Sequence, residues 1–103
     1  MFNFLKNLFG PKADFKALLE SGALLIDVRS PEEYATGHIP ESANIPLPVV
    51  QQEASRLKAK NLPVIAVCRS GARSGMAVRM LRRAGVEAYN GGGWSRLAEA
   101  LKT

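Results

Sequence analysis

One cysteine, one histidine and one tryptophan stand in a chain of 103 residues, and each scarcity closes off some chemistry. A single cysteine, Cys68, makes no internal disulfide framework and no multi-cysteine zinc site. A single histidine, His38, is the one imidazole available to pair with it. No apolar run approaches the ~18–20 residues that span a bilayer. Acidic residues are also few, 9 against 14 basic ones, which leaves a net charge of +5. None occurs between Glu53 and Glu87, where Arg56, Lys58, Lys60, Arg69, Arg73, Arg79, Arg82 and Arg83 all fall. The composition, 47% hydrophobic and 22% charged, excludes a disordered tail. The length allows one domain and one core, and we expect a small, reduced, cytoplasmic protein.

The start is rich in Phe and Leu: Phe2, Phe4, Leu5, Leu8 and Phe9, broken by Asn3, Lys6 and Asn7. The interruption at Lys6 and the absence of a small-residue cleavage site before Pro11 argue against a secretory signal. Phe2, Leu5 and Phe9 share helical spacing, so a short amphipathic turn is expected, packed on the domain. Contact of residues 1–10 with a membrane surface is the alternative. We divide the chain into a Phe-rich extension, 1–12, and a domain, 13–103.

Strand and helix signals then alternate. Phe15, Leu18 and Leu19 mark a helix that Gly22 stops. Ala23 to Val28 is a continuous apolar run broken only by Asp27, as in a strand buried on both faces. Ser30, Pro31 and Glu33 open a short helix with a capping box. Ala43 to Ile45 reads as a brief strand. After Pro48, a helix places Val50, Ala54 and Leu57 inward, and Pro63 to Val67 is a second buried strand. The spacing predicts a helix from Gly75 to Ala84 with Met76, Met80, Leu81 and Ala84 inward, then a strand from Val86 to Asn90. Following Gly91–Gly92–Gly93, the residues Trp94, Leu97, Ala98 and Leu101 mark a last helix. Such alternation implies an α/β fold, a mostly parallel sheet of about five short strands with helices on both faces. Ligands bind such sheets outside the carboxyl ends of the strands.

Cys68 stands at that place, ending an apolar strand and opening Arg69–Ser70–Gly71–Ala72–Arg73–Ser74 before a helix. Lone cysteines are ordinarily small buried hydrophobes, but three neighbours point to more. Gly71 and the small Ala72 let successive backbone N–H groups curl inward as an anion nest. The following helix aims its positive end at the same hollow. Arg69 and Arg73 add two permanent charges. Together these favour thiolate and predict a pKa below the ~8.5 of a free thiol. A thiolate in an anion cradle attacks either the sulfur of an anionic donor or the phosphorus of a phosphate ester. A protease-type pair with His38 lacks any evident third partner for the imidazole, so His38 is expected to be structural. For the basic segment, no helix-turn-helix, zinc spacing or aromatic platform points to nucleic acid. A small anionic substrate fits it as well, and solvated helix faces are the plainer account.

Three stretches carry a resemblance: Asp27–Val28–Arg29–Ser30–Pro31–Glu32–Glu33–Tyr34 with Gly37 to Pro46, the loop Cys68 to Ser74, and Gly91–Gly92–Gly93–Trp94. In this order they resemble the rhodanese (sulfurtransferase) family over nearly the whole chain, from about Asp14 to Leu101. The resemblance implies a rhodanese-like fold, no cofactor and no metal, and a cysteine that carries a persulfide. It implies attack by Cys68 on thiosulfate or a related anion, then transfer to cyanide, thiols or a sulfur-accepting protein. Arg69, Ser70, Gly71, Ala72, Arg73 and Ser74 take substrate-binding places on this pattern. Asp27 and Arg29 are expected to brace the loops, and Trp94 to pack in the core or line the pocket mouth.

Phosphatase and arsenate-reductase relatives have arginine six positions after cysteine, where this chain has Ser74. The shorter loop from Cys68 to Arg73 is the one associated with sulfur transfer. A persulfide-carrying binding or sensor module with little turnover is the second alternative. The family's usual first strand is hard to see before Asp14.

Overall fold

The computed structural model describes residues 15–102. The turn expected at Phe2, Leu5 and Phe9, and the boundary between 1–12 and 13–103, lie outside them.

In chain order the elements are α1 (Phe15–Glu20), β1 (Leu24–Asp27), α2 (Pro31–Ala35), β2 (Ala43–Asn44), α3 (Leu47–Lys60), β3 (Val64–Cys68), α4 (Ala72–Arg83), β4 (Ala88–Gly93) and α5 (Trp94–Leu101). Four parallel strands lie in the order β2-β1-β3-β4, one fewer among the described residues than the pattern suggested. Every residue of β3 is buried, because the strand lies between two others and beneath helices on both faces. Its side chains alternate between two cores. Val64, Ala66 and Cys68 face Val50, Ala54 and Leu57 of α3 and Ala77, Val78 and Leu81 of α4. Ile65 and Val67 face Phe15 of α1 and Leu97 of α5. The α/β fold is as the alternation implied, and Cys68 sits at the carboxyl end of the most enclosed strand.

Two elements differ from expectation, for local reasons. Helix α4 begins at Ala72 rather than Gly75, because Gly71 takes a left-handed conformation (φ 104°) and turns the chain from β3 into the helix at once. Its buried face is Ser74, Ala77, Val78 and Leu81. Small residues at 74 and 77 let the helix lie close on the sheet, which leaves Met76 outside at 44% exposure and Met80 and Ala84 only part-buried. Strand β4 takes in the three glycines expected as a turn, with a register shift opposite Ala66 and Val67. Gly93 pairs with Cys68, and a Cβ there would lie 2.8 Å from the carbonyl oxygen of Arg69. Only glycine lets β4 pass so near the Cys68 loop.

The loops at the carboxyl ends are tied by one buried ion pair. Asp27, fully buried, accepts from Arg29 Nη2 at 2.8 Å, from Nε at 3.0 and 3.1 Å, and from the Arg29 backbone N–H at 3.0 Å. The same guanidinium donates to the carbonyls of Gly37 at 2.7 Å and Glu33 at 3.2 Å. It also lies 4.7 Å from the centre of the Trp94 ring, a cation–π contact. Helix α2 carries the capping box read from the sequence, with Ser30 and Glu33 bonded reciprocally. Asn44 adds bonds from its side-chain amide to the carbonyls of Asp27 and Arg29.

Removing one partner of a buried pair strands the other charge, at about 3–5 kcal/mol, whereas replacing both with apolar groups costs far less. Arg29→Ala is therefore expected to lower unfolding free energy by about that amount in urea. The joint change Asp27→Leu with Arg29→Met is expected to recover most of the loss.

Candidate active site

The end of β3, the start of α4 and the last residues of β4 converge on Cys68 Sγ. The residue is 1% exposed. The backbone N–H of Gly71 donates to Sγ at 3.0 Å, that of Ser74 donates at 3.3 Å, and Ser74 Oγ lies 3.4 Å away. Burial, the largest single influence, pushes the thiol up. Hydrogen bonds from the Ser74 hydroxyl and from the amides of Ser74, Gly71 and Ser70 together outweigh it, and the pKa ends below its ordinary value. The sulfur is thus a hydrogen-bond acceptor inside an apolar setting, at the N-terminus of α4, whose dipole favours ionisation in the same sense.

Ser74 is held in turn by Asn90, which the sequence patterns did not single out. Ser74 Oγ donates to Asn90 Oδ1 at 2.7 Å, and Gly92 N–H donates to the same oxygen at 2.9 Å. Asn90 Nδ2 donates to the Gly71 carbonyl at 3.0 Å, which fixes which way the amide points. A hydroxyl has one proton to give. With that proton on Asn90, the neutral thiol is the donor towards Ser74. Once the thiol ionises, the hydroxyl turns and donates to sulfur. The available signal for Asn90 was a polar residue at the carboxyl end of a strand, beside a glycine run.

The remaining residues named from the sequence fall into separate places. Arg73 makes a two-pronged ion pair with Glu33, Nη1 to Oε1 at 2.7 Å and Nη2 to Oε2 at 2.9 Å, so Glu33 caps α2 and clamps α4 together. The Arg73 bond, with help from the Ser30 amide, holds the Glu33 carboxyl down at about 2. Hydrogen bonding to Glu33 raises Arg73 further, and the negative charges of Cys68 and Asp27 act in the same direction. Arg69 is exposed and makes no ion pair among the described residues. Ser70 and Ala72 are exposed at the loop mouth. Asp27, Arg29 and Trp94 form the brace described above and do not bond to Sγ. His38 stacks on Tyr34 with ring centres 3.6 Å apart, and its Nδ1 lies 2.7 Å from the Tyr34 carbonyl. It is not a partner of Cys68. An apolar hollow of about 370 Å³ between Leu19, Leu24, Ile26, Leu57 and Leu101 takes no residue from the Cys68 loop. Among the described residues, no three of His, Cys, Asp and Glu gather to hold a metal, and no helix is long and apolar enough to cross a membrane.

Two outcomes are expected. Ser74→Ala removes a donor to the thiolate, so the midpoint of a pH series of Cys68 alkylation should move up and the rate at neutral pH should fall severalfold. An unmoved midpoint would show that the hydroxyl does not reach the sulfur. For Glu33 the folded pKa lies below the ordinary value of 4.5. Its contribution to stability is therefore complete above that value and is lost as pH falls towards about 2. Glu33→Gln should lower the urea midpoint near neutral pH and make its decline in acid shallower.

The chain resembles known proteins over most of its length. Residues 11–100 match the family model for the rhodanese-like domain. The uncharacterized protein YqhL of Bacillus subtilis is 39% identical over 82 residues, 78% of this chain and 64% of its own. The adenylyltransferase and sulfurtransferase MOCS3 of Drosophila virilis is 40% identical over 76 residues, 67% of this chain but 17% of that one. The chain thus spans less than two thirds of either relative. Among solved structures, the human single-domain sulfurtransferase TSTD1 superposes with a TM-score of 0.68 at 30% identity, covering 88% of this chain and 94% of that one. With its cysteine cradle at the end of the central strand, this chain belongs to the rhodanese-like domain family.

Proposed function

We propose that the protein moves a sulfane sulfur from thiosulfate, or a similar anionic donor, to a thiophilic acceptor through a persulfide on Cys68. One observation carries the proposal: the amides of Gly71 and Ser74 point at Sγ from 3.0 and 3.3 Å. Donors fixed in that way stabilise charge on sulfur without rearranging during the reaction.

In the first step the Cys68 thiolate attacks the outer sulfur of thiosulfate. The new S–S bond forms as the bond to sulfite breaks, and sulfite leaves with the electron pair. The persulfide then sits among the amides of Ser70, Gly71 and Ser74. In the second step an acceptor thiolate or cyanide attacks the outer sulfur, and the electron pair returns to Sγ. Arg69, exposed and without a carboxylate partner, draws the donor to the loop mouth. Arg73 adds a second charge from a fixed position, since Glu33 holds both of its terminal nitrogens. Ser74, six places after the cysteine, puts its hydroxyl on Sγ and Asn90. A phosphate-sized cradle of the same fold has arginine there, which supports sulfur over phosphorus. The 1% exposure of Cys68 favours, as the second reading, a carrier that takes up sulfur and releases it slowly.

Protein mixed with excess thiosulfate is expected to gain about 32 Da, one sulfur atom, and Cys68→Ala to gain nothing. Assayed side by side with an aryl phosphate, only thiosulfate should turn over. Rapid loading with slow discharge to cyanide would select the carrier, and phosphate turnover would overturn both readings. Arg73→Ala should raise KM for thiosulfate more than it lowers kcat.

A further inference from the structure

Because Cys68 is 1% exposed, its sulfur has to be reached by the acceptor at the loop mouth, so what surrounds that mouth selects the acceptor. Four exposed residues of α4 lie in one line from it: Ala72, Met76, Arg79 and Arg83. Their spacing of four, three and four keeps them on a single face, over a length of about 16 Å. The line starts one residue after Gly71, whose amide holds Sγ. The opposite face of the helix, Ser74, Ala77, Val78 and Leu81, is fixed in the core, so this face cannot turn away.

Charge on this side of the molecule is not all alike. Arg56 is paired with Glu53, Arg73 with Glu33, and Arg82 donates to the Ala88 carbonyl. Arg79 and Arg83 have no carboxylate partner among the described residues, nor has Arg69 at the loop. Met76, 44% exposed, lies between the loop and these two arginines, and among the described residues only Leu62 is likewise a large apolar side chain left in water. An adaptable apolar side chain beside unpaired cations is the make-up of a docking surface, the apolar part burying area and the cations setting partner and orientation.

We propose that the Ala72–Met76–Arg79–Arg83 face of α4 docks an acidic sulfur-accepting protein, bringing its thiol to the persulfide. The proposal rests on the sulfur-transfer reading above and adds the class of acceptor. The acceptor thiolate attacks the outer sulfur of the Cys68 persulfide. A new S–S bond forms on the acceptor, the old one breaks, and Cys68 regains the electron pair. RNA phosphates would also be drawn to the arginines. However, the face carries no aromatic ring on which a base could stack, and the ring of Trp94 is engaged with Arg29.

The full chain is first loaded with thiosulfate, and the gain in mass is checked. Discharge is then timed against two synthetic peptides, each with one cysteine and one leucine, one bearing four glutamates and the other four glutamines. The glutamate peptide should accept sulfur about tenfold faster at low salt, with the advantage gone near ~0.5 M NaCl. In Arg79→Glu with Arg83→Glu the preference should vanish or reverse, while discharge to cyanide stays within about twofold of the unaltered chain. Met76→Ser should slow both peptides and leave cyanide unaffected. Equal rates for the two peptides, or a preference that survives the double charge reversal, overturns the docking face and leaves sulfur transfer standing. Blocking of peptide discharge by a single-stranded RNA oligomer, at concentrations where free glutamate peptide lacking cysteine has no effect, overturns it in favour of a nucleic-acid surface. A chain that never loads sinks the sulfur-transfer reading itself, and this proposal with it.

Discussion

The arrangement depends on a contest at one atom. Burial of Cys68 works against ionisation, and it is the largest single influence on the thiol. Against it stand the hydroxyl and amide of Ser74 and the amides of Gly71 and Ser70, each weaker alone and stronger in sum. The burial that opposes the thiolate also strengthens every hydrogen bond to it, because water no longer competes. A sulfur at the surface would ionise with less help but would gain little from the amides around it. The short path from β3 into α4 makes both possible, since Gly71 turns the chain so sharply that three residues later Ser74 is back over the sulfur.

Much of the remaining structure keeps that loop in shape. Asn90 ties the Gly71 carbonyl and the Ser74 hydroxyl to the end of β4, and Gly93 lets β4 come close enough to do so. Glu33 reaches Arg73 from a helix 40 residues earlier in the chain, so the segments that follow β1 and β3 at the sheet's carboxyl end cannot drift apart. The Asp27–Arg29 pair lies behind them and fixes Gly37 and Trp94. Asp27 pairs in register with Val67, one residue before the cysteine. A charge buried there is costly by itself. It is compensated by four hydrogen bonds donated by Arg29, whose guanidinium also bonds two backbone carbonyls and one aromatic face, and in exchange the loops have one arrangement rather than several.

What the sequence disclosed follows the range of the forces involved. Capping at Ser30 and Glu33, the buried strands around Leu25 and Val67 and the inward faces of α3 and α5 are local or periodic, and they were legible. Cys68 was legible as a candidate site from its position at a strand end before glycine and helix, and the amides around its sulfur stand where that position implied. Asn90 and the second role of Glu33 were not, because each depends on a partner 16 or 40 residues away. Met76 was misplaced for a different reason. Hydropathy alone puts methionine inward, whereas close packing of α4 on the sheet demands the small Ser74 and Ala77 there. The run of glycines read as a turn is strand, since glycine signals either a turn or a close approach and the sequence does not say which.

That misplaced methionine bears on how a buried nucleophile serves large partners. A cradle tight enough to hold an anionic sulfur leaves little surface of its own for recognition. Small donors need only charge at the loop mouth, foremost that of the unpaired Arg69, whose field reaches beyond contact distance. A macromolecular acceptor needs area, and the loop from Cys68 to Gly71 is too short to provide it. The helix that begins there is the nearest element with an exposed face. Because Ser74 must point at the sulfur, the residues two places on and their helical neighbours must point at solvent. The side of α4 offered to a partner is thus fixed by the hydrogen bond that prepares the cysteine, and the chemistry and the docking face cannot vary independently.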